Sequence, residues 1–309
     1  MYKINGVYSA AVTPINKDYT INANLFSLHC KLLLSQGLDG LGIFGTTGEA
    51  NSFNVDEKIN TIEYLINCKI SSDKLIPGTG LCSVKDTVRF TKKCSDLKVR
   101  AVLVLPPFFY KGVSDEGIVE YYRRVIEEVG DNNLKYILYN IPQTSGIPIT
   151  FGIIDRLIKL YPNNVVGIKD SSGDLDNMLK TIKFFDEFCV FSGSDSLALK
   201  VCKNGGAGAI TATSNISGRL LSFIVNNFKS ESSIDNFDRL QNLQENIRQV
   251  LFTNEPISVL KAYMSIKYKN NEWNRLNPPL KKINNPENHK TVIILLELIK
   301  SMEDLLPPS

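Results

Sequence analysis

The chain has 309 residues, enough for one large domain or two ordinary ones with a sizeable core. Its 43% hydrophobic and 22% charged residues suit a soluble globular protein, and a net charge of only +3, with no basic run interleaved with aromatics, argues against nucleic acid as a partner. The start, Met1-Tyr2-Lys3-Ile4-Asn5-Gly6, lacks an apolar signal core, and the apolar run 292–296 is far too short to span a bilayer, so a cytoplasmic protein with no membrane contact is expected.

Taken in order, the chain alternates. Tyr8-Ser-Ala-Ala-Val-Thr-Pro14 is an apolar run stopped by proline, and 22–36 carries leucines at helical spacing closed by Gly37. Gly40-Leu-Gly-Ile-Phe44 predicts the next strand, followed by a turn and a helix starting near Val55. Further strands are predicted at 75–78, 101–105, 136–139, 165–169, 189–192 and 208–211, with helical periodicity at 115–129 before Gly130 and at 150–160. Eight strands alternating with helices imply parallel pairing with right-handed crossovers. Eight such units predict an α/β fold of the (β/α)8 TIM-barrel type, with its site at the C-terminal strand ends. A doubly wound sheet is the rival, but Gly78-Thr-Gly80 and Gly205-Gly206-Ala-Gly208 are too short and wrongly spaced for a dinucleotide loop. Helices at 237–251, 257–268 and 291–305 complete the reading: residues 1–228 as barrel and 229–309 as a C-terminal helical extension packed on it, with Asn277-Pro-Pro279 and Asn285-Pro286 as linker.

Six scattered cysteines read as small core residues in a reducing compartment. The two histidines, His29 and His289, have no neighbours at metal-ligand spacing and no placement that suits a triad. Chemistry, if any, falls to lysine, tyrosine, threonine and carboxylates. Within the predicted strands Lys169 is the only Lys or Arg, at the end of Val165-Val-Gly-Ile-Lys169-Asp170 and before Ser171-Ser-Gly173. An outward side chain would lie under the helices, where a charge is costly, so the barrel mouth is its expected direction. The preceding strand ends in Tyr139, about 4.8 Å away on the neighbouring strand. The second strand, opposite, runs into Gly45-Thr46-Thr47-Gly48-Glu49, a turn with two hydroxyls, backbone donors and a carboxylate.

A lysine amine attacks a carbonyl only when neutral, and at a pKa of about 10.4 roughly one in 2,500 is neutral at pH 7, a handicap of about 4.6 kcal/mol. An apolar mouth would lower that pKa. The imine of a 2-oxo acid then acts as an electron sink, Tyr139 can shuttle protons, and the donors of Gly45-Thr46-Thr47 suit a substrate carboxylate. Blander readings stand beside these: Lys169 could extend to water, Tyr139 could cap the core, and the Gly45–Glu49 stretch could be only a turn.

Gly45-Thr46-Thr47-Gly48-Glu49, Tyr139-Asn140-Ile141-Pro142 and Gly167-Ile168-Lys169-Asp170 together resemble the dihydrodipicolinate synthase / N-acetylneuraminate lyase superfamily, over nearly the whole chain. The resemblance implies a pyruvate Schiff base on Lys169, Tyr139 as acid/base, Thr46 as relay hydroxyl, Thr47 as carboxylate binder and the backbone around Ile210 as pocket lining. It also implies a homotetramer built as a dimer of dimers, with no metal or organic cofactor.

Two departures bear on the substrate. Lysine-pathway synthases read Tyr-Asn-Val-Pro-x-Arg-Thr-Gly, with the arginine on the carboxylate of aspartate semialdehyde; here that position carries Thr144. The loop Pro107-Phe108-Phe109-Tyr110-Lys111 places Phe109, or Tyr110 after a shift, where those enzymes lend a tyrosine across the dimer. Its length resembles the 2-keto-3-deoxygluconate aldolases, while the sialic acid lyases usually carry Ser where Thr46 stands. The expectation is a Schiff-base lyase or aldolase acting on pyruvate and a small aldehyde or 2-keto-3-deoxy acid. A polyhydroxylated partner would use Thr144, Ser194 and Asp195. The alternatives are 4-hydroxy-tetrahydrodipicolinate synthase and, in another class, a non-catalytic barrel that senses a 2-oxo acid.

Overall fold

The computed structural model describes residues Ile4 to Pro307. The predicted non-signal start at Met1–Lys3 and the last two residues of the proposed extension lie outside the described residues. In chain order the elements are β1 (Gly6–Ser9), α1 (Ala23–Ser35), β2 (Gly40–Leu41), α2 (Val55–Asn67), α3 (Val84–Asp96), β3 (Val102–Val104), α4 (Asp115–Val129), β4 (Tyr136–Asn140), α5 (Pro142–Ser145) and α6 (Phe151–Leu160). They continue with β5 (Val165–Asp170), α7 (Leu175–Phe184), β6 (Cys189–Ser192), α8 (Asp195–Lys203), β7 (Gly208–Thr211), α9 (Ser214–Asn227), α10 (Phe237–Leu251), α11 (Pro256–Lys267) and α12 (Lys290–Leu305). Helix starts follow side-chain capping: the Asn22 carboxamide accepts from Leu25 N–H, Asn54 and Glu57 cap each other reciprocally, and Thr150 Oγ1 accepts from Ile153 N–H.

The sheet is parallel throughout, in the order β2-β1-β7-β6-β5-β4-β3. First and last strands are neighbours, so the sheet curls into a half-barrel, with twelve α-helices among the described residues. An eighth strand was expected at 75–78 and is absent as a regular strand. Pro77 has no N–H to donate, which interrupts the ladder. The segment still touches both edges: Ile76 N–H donates to Leu41 O at 2.8 Å, and Leu103 N–H donates to Pro77 O at 2.8 Å. The second strand is also shorter than expected, because Phe44 turns out of it at φ 54°.

Alternation along each strand sorts side chains into two layers. Tyr136 and Leu138 of β4 join the layer under the helices, whereas Ile137 and Tyr139 face the inside of the curl with Tyr8, Phe191 and Ile210. Gly167 permits close approach there, since a Cβ would lie 2.4 Å from Cys189 O. Helices α10, α11 and α12 share a third cluster with α9, in which Leu220 and Ile224 meet Ile247, Leu260 and Leu295. Of the cysteines, Cys30, Cys94, Cys189 and Cys202 are buried as expected, but Cys82 is exposed.

Candidate active site

Lys169 and Tyr139 are register partners on β5 and β4, so both side chains point to the same inner face. The Lys169 ammonium lies 4.2 Å from the centre of the Tyr139 ring, and both residues are 4% exposed. The Tyr139 hydroxyl is 3.1 Å from Thr46 Oγ1. Burial by itself would raise the phenol's pKa, but the Lys169 charge and hydrogen bonds with Thr46, Lys169 and Ser171 hold it below the ordinary tyrosine range. A phenol so placed gives up its proton more readily than tyrosine in water, which brings it closer to the range useful for acid-base work near neutral pH.

The turn after β2 is built to present Thr46 and Thr47. Gly45 O accepts from Gly48 N–H at 3.1 Å and from Ala50 N–H at 3.2 Å, while Thr13 Oγ1 donates to Gly48 O at 2.8 Å. Among the described residues the backbone N–H groups of Thr46 and Thr47 have no protein acceptor. The carboxylate of the turn does not face the cavity. Glu49, at φ 53°, turns inward to a fully buried ion pair with Lys261 of α11, and its Oε2 accepts from Asn277 N–H at 3.0 Å. Desolvation pulls the Lys261 ammonium below the usual lysine range, opposed by the attraction of Glu49. The pair ties the turn to the helices that follow the sheet.

A cavity of about 400 Å³ opens over these groups, and Thr46, Thr47, Tyr139, Thr144, Lys169 and Ile210 lie on its wall. The remaining expected residues lie elsewhere. Gly45 contributes its carbonyl to the turn and is not on the wall. Asp195 is turned away: its Oδ1 accepts from Thr211 Oγ1 at 2.7 Å and Gln244 Nε2 at 3.2 Å, and its Oδ2 from Thr213 Oγ1 at 2.5 Å. Ser194 is buried in the tight turn before α8, where its N–H donates to Ser192 Oγ. Phe109 and Tyr110 stand outside the cavity, exposed, with their rings edge to face at 5.2 Å. Lys111 is held within its own chain by Ser145 O at 2.5 Å and by Phe108 O.

The wall also includes residues that the sequence reading passed over: Gln143, Ser171, Arg248, Phe252 and Glu255. Gln143 Nε2 donates to Ser171 O at 2.7 Å, linking the short α5 to the loop after Lys169. Gln244 and Arg248 of α10 and Phe252, the residue that ends it, recur every four residues, a stripe visible in the sequence whose destination is not. Among the described residues no group of three or more His, Cys, Asp or Glu could hold a metal ion, and no helix is long and apolar enough to cross a membrane.

A parallel α/β sheet that curls on itself, with a cavity at the C-terminal ends of its strands, defines the class of barrel-type α/β proteins whose sites lie at that face. A family model described as the dihydrodipicolinate synthetase family matches residues 3–297, and the chain belongs to that family. It is 37% identical over 227 residues to a 4-hydroxy-tetrahydrodipicolinate synthase of Listeria monocytogenes, covering 72% of this chain and 75% of the relative. An uncharacterised DapA-like lyase of Chloroflexus aurantiacus is 36% identical over 216 residues, 70% of this chain and 72% of that one. The fold is shared with a sialic acid aldolase (catalytic lysine mutant) of Ruminococcus gnavus, at a TM-score of 0.87, 20% identity and 98% coverage of both chains. It is also shared with the 4-hydroxy-tetrahydrodipicolinate synthase of Methylacidiphilum fumariolicum, at a TM-score of 0.86, 23% identity and coverage of 99% and 100%.

Proposed function

We propose that the protein is a pyruvate-dependent lyase or aldolase that works through a Schiff base on Lys169, in a (β/α)8 barrel of residues 1–228 carrying a C-terminal helical extension, 229–309. The observation that carries this is the buried Lys169 ammonium over the Tyr139 ring, with the phenol bonded to Thr46. A binding barrel has no need of a nucleophile beside a proton donor.

The steps balance within these groups. The neutral Lys169 amine adds to the pyruvate C2 carbonyl, Tyr139 protonates the departing oxygen, and water leaves as the imine forms. Loss of a C3 proton gives an enamine, whose C3 bonds to the aldehyde carbon while the aldehyde oxygen takes a proton. Water then hydrolyses the imine and returns Lys169; cleavage is the reverse. The N–H groups of Thr46 and Thr47 and the Thr47 hydroxyl would hold the pyruvate carboxylate, Thr46 would relay protons through Tyr139, and the Ile210 backbone would line the pocket. No metal or organic cofactor takes part. A cytoplasmic homotetramer is the assembly we propose, with the exposed Phe109 and Tyr110 reaching a neighbouring subunit.

Two readings of the aldehyde remain. Thr144 on the wall in place of an arginine supports a sugar-acid-type partner, but Ser194 and Asp195, the other hydroxyl partners of that reading, lie off the wall. Arg248 on the wall favours the second reading, an aldehyde with its own anionic group, as in 4-hydroxy-tetrahydrodipicolinate synthase. The common chemistry is tested by treating the protein with pyruvate and borohydride. A reduced pyruvyl group is expected on Lys169 and absent from Lys169→Arg, whose guanidinium stays protonated. Pyruvate binding without any adduct would establish the sensor instead.

A further inference from the structure

Besides Lys169, one cation lies on the cavity wall among the described residues: Arg248, from the last turn of α10. Its guanidinium carries five N–H donors. One of them reaches Asp195 Oδ2, at 3.5 Å, the outer limit of a hydrogen bond, and that carboxylate already holds the hydroxyls of Thr211 and Thr213 and the amide of Gln244. Asp195 therefore does not need Arg248 to be satisfied, and Arg248 keeps most of its donors unspent. The planar fork is held in place instead by stacking over the Phe252 ring, 4.2 Å from its centre. The side chain is 22% exposed, enough to reach a ligand while shielded from bulk water. Glu255 shares the wall but does not cancel this charge. Its carboxylate caps α11, accepting from Ile257 N–H at 3.2 Å and Ser258 N–H at 2.7 Å, where the helix N-terminus offsets it.

We infer that Arg248 is a specificity-determining residue that reads an anionic group, carboxylate or phosphate, on the aldehyde that meets the pyruvate enamine. The inference rests on the Schiff-base reading above. Pyruvate's own carboxylate has the turn at Thr46 and Thr47, so the cation on α10 serves the other partner. A preorganised guanidinium pairs with a carboxylate or phosphate through two parallel bonds, which a neutral aldehyde cannot make.

The experiment measures kcat/KM for pyruvate condensation with aspartate semialdehyde (carboxylate), glyceraldehyde 3-phosphate (phosphate) and glyceraldehyde (neutral). The native protein should prefer an anionic partner, and whichever of the two is faster identifies the source of the charge. Arg248→Gln should shrink the anionic-to-neutral ratio by about 10- to 150-fold, the worth of hydrogen bonds to a charged group, chiefly through KM of the anionic aldehyde. Arg248→Lys should restore part of it. A native preference for glyceraldehyde, a ratio untouched by Arg248→Gln, or a loss shared equally by all three aldehydes and accompanied by an earlier melt would overturn the inference, the last by making Arg248 structural. A raised KM for pyruvate itself would assign Arg248 to the wrong carboxylate and overturn it too. Borohydride trapping with pyruvate alone separates the two levels. No adduct on native Lys169 sinks the Schiff-base reading, whereas an adduct in Arg248→Gln with an unchanged ratio sinks this inference alone.

Discussion

Glu49→Gln offers the sharpest test of how the turn Gly45–Glu49 is held. Both side chains of the Glu49–Lys261 pair are fully buried, and once the Glu49 charge is gone Lys261 keeps one hydrogen bond, to the Arg275 carbonyl at 2.9 Å, and the weaker attraction of Glu255. Removing one partner of a buried pair strands the other charge in a poorly polarisable interior, at a cost of about 3 to 5 kcal/mol. In a chain of this size that corresponds to a melting temperature lower by on the order of 5 to 10 °C. The Gln carboxamide can still accept the Asn277 N–H, so the loss reports the charge and not the bond. Replacing both partners, as Glu49→Gln with Lys261→Met, should recover at least half of the loss, because no unpaired ammonium remains. Turnover should fall with the single change as well, since the pair fixes the turn that sets Thr46 at 3.1 Å from Tyr139. Urea unfolding of the native protein, both single variants and the double variant closes the cycle. A Glu49→Gln cost below about 1 kcal/mol, or a double variant worse than both singles added, would falsify the reasoning.

Tyr139→Phe keeps the ring under Lys169 and removes only the hydroxyl, so turnover should fall by about 10² to 10⁴ with little change in melting temperature; steady-state kinetics beside a thermal melt decides. His29 is buried against Asn215 at 3.0 Å, and burial pulls its pKa to about 4, against the weaker opposite pull of that hydrogen bond. The unfolded chain binds its proton first, so His29 should cost about 3 kcal/mol of stability as pH falls from about 6.5 to about 4, and His29→Gln should flatten that slope in urea titrations at stepped pH. Lys58 is buried with one bond, to Ala50 O at 3.2 Å, and desolvation lowers its pKa to about 8. Lys58→Met should therefore stabilise the protein at pH 7 by about 1 to 2 kcal/mol in chemical unfolding, and a loss of stability would show that the ammonium is better solvated than its burial implies.

Much of this protein was legible in the order of its residues. Apolar runs and helical periodicity located Asp115–Val129, Cys189–Ser192, Gly208–Thr211 and Phe237–Leu251 to the residue, because burial of one face writes its period directly into the chain. Lys169 and Tyr139 could be placed on adjacent strands from strand succession alone, since consecutive strands joined by crossovers tend to be neighbours, while the register that pairs them, with a shift between Tyr136 and Ile137, is a property of the folded sheet. Local pattern put the segment 75–78 between the second and third strands, where Leu75 and Gly78 do bridge their neighbours, but it did not register that Pro77 removes a donor from the ladder, nor that the second strand ends early where Phe44 adopts a left-handed φ. Side-chain direction beyond the strands was out of its reach. Asp195 has the same polar character whether it faces substrate or Thr211 and Thr213, and Glu49 reads as a carboxylate at the mouth until α11 brings Lys261 to it across 212 residues. Arg248 is one of two arginines on an amphipathic helix, and only the packing of α10 against α8, α9 and α12 brings that face to the cavity that Lys169 also lines. Contacts between distant segments depend on how whole helices dock, and that is set by the fit of their buried faces, which no single stretch of sequence contains.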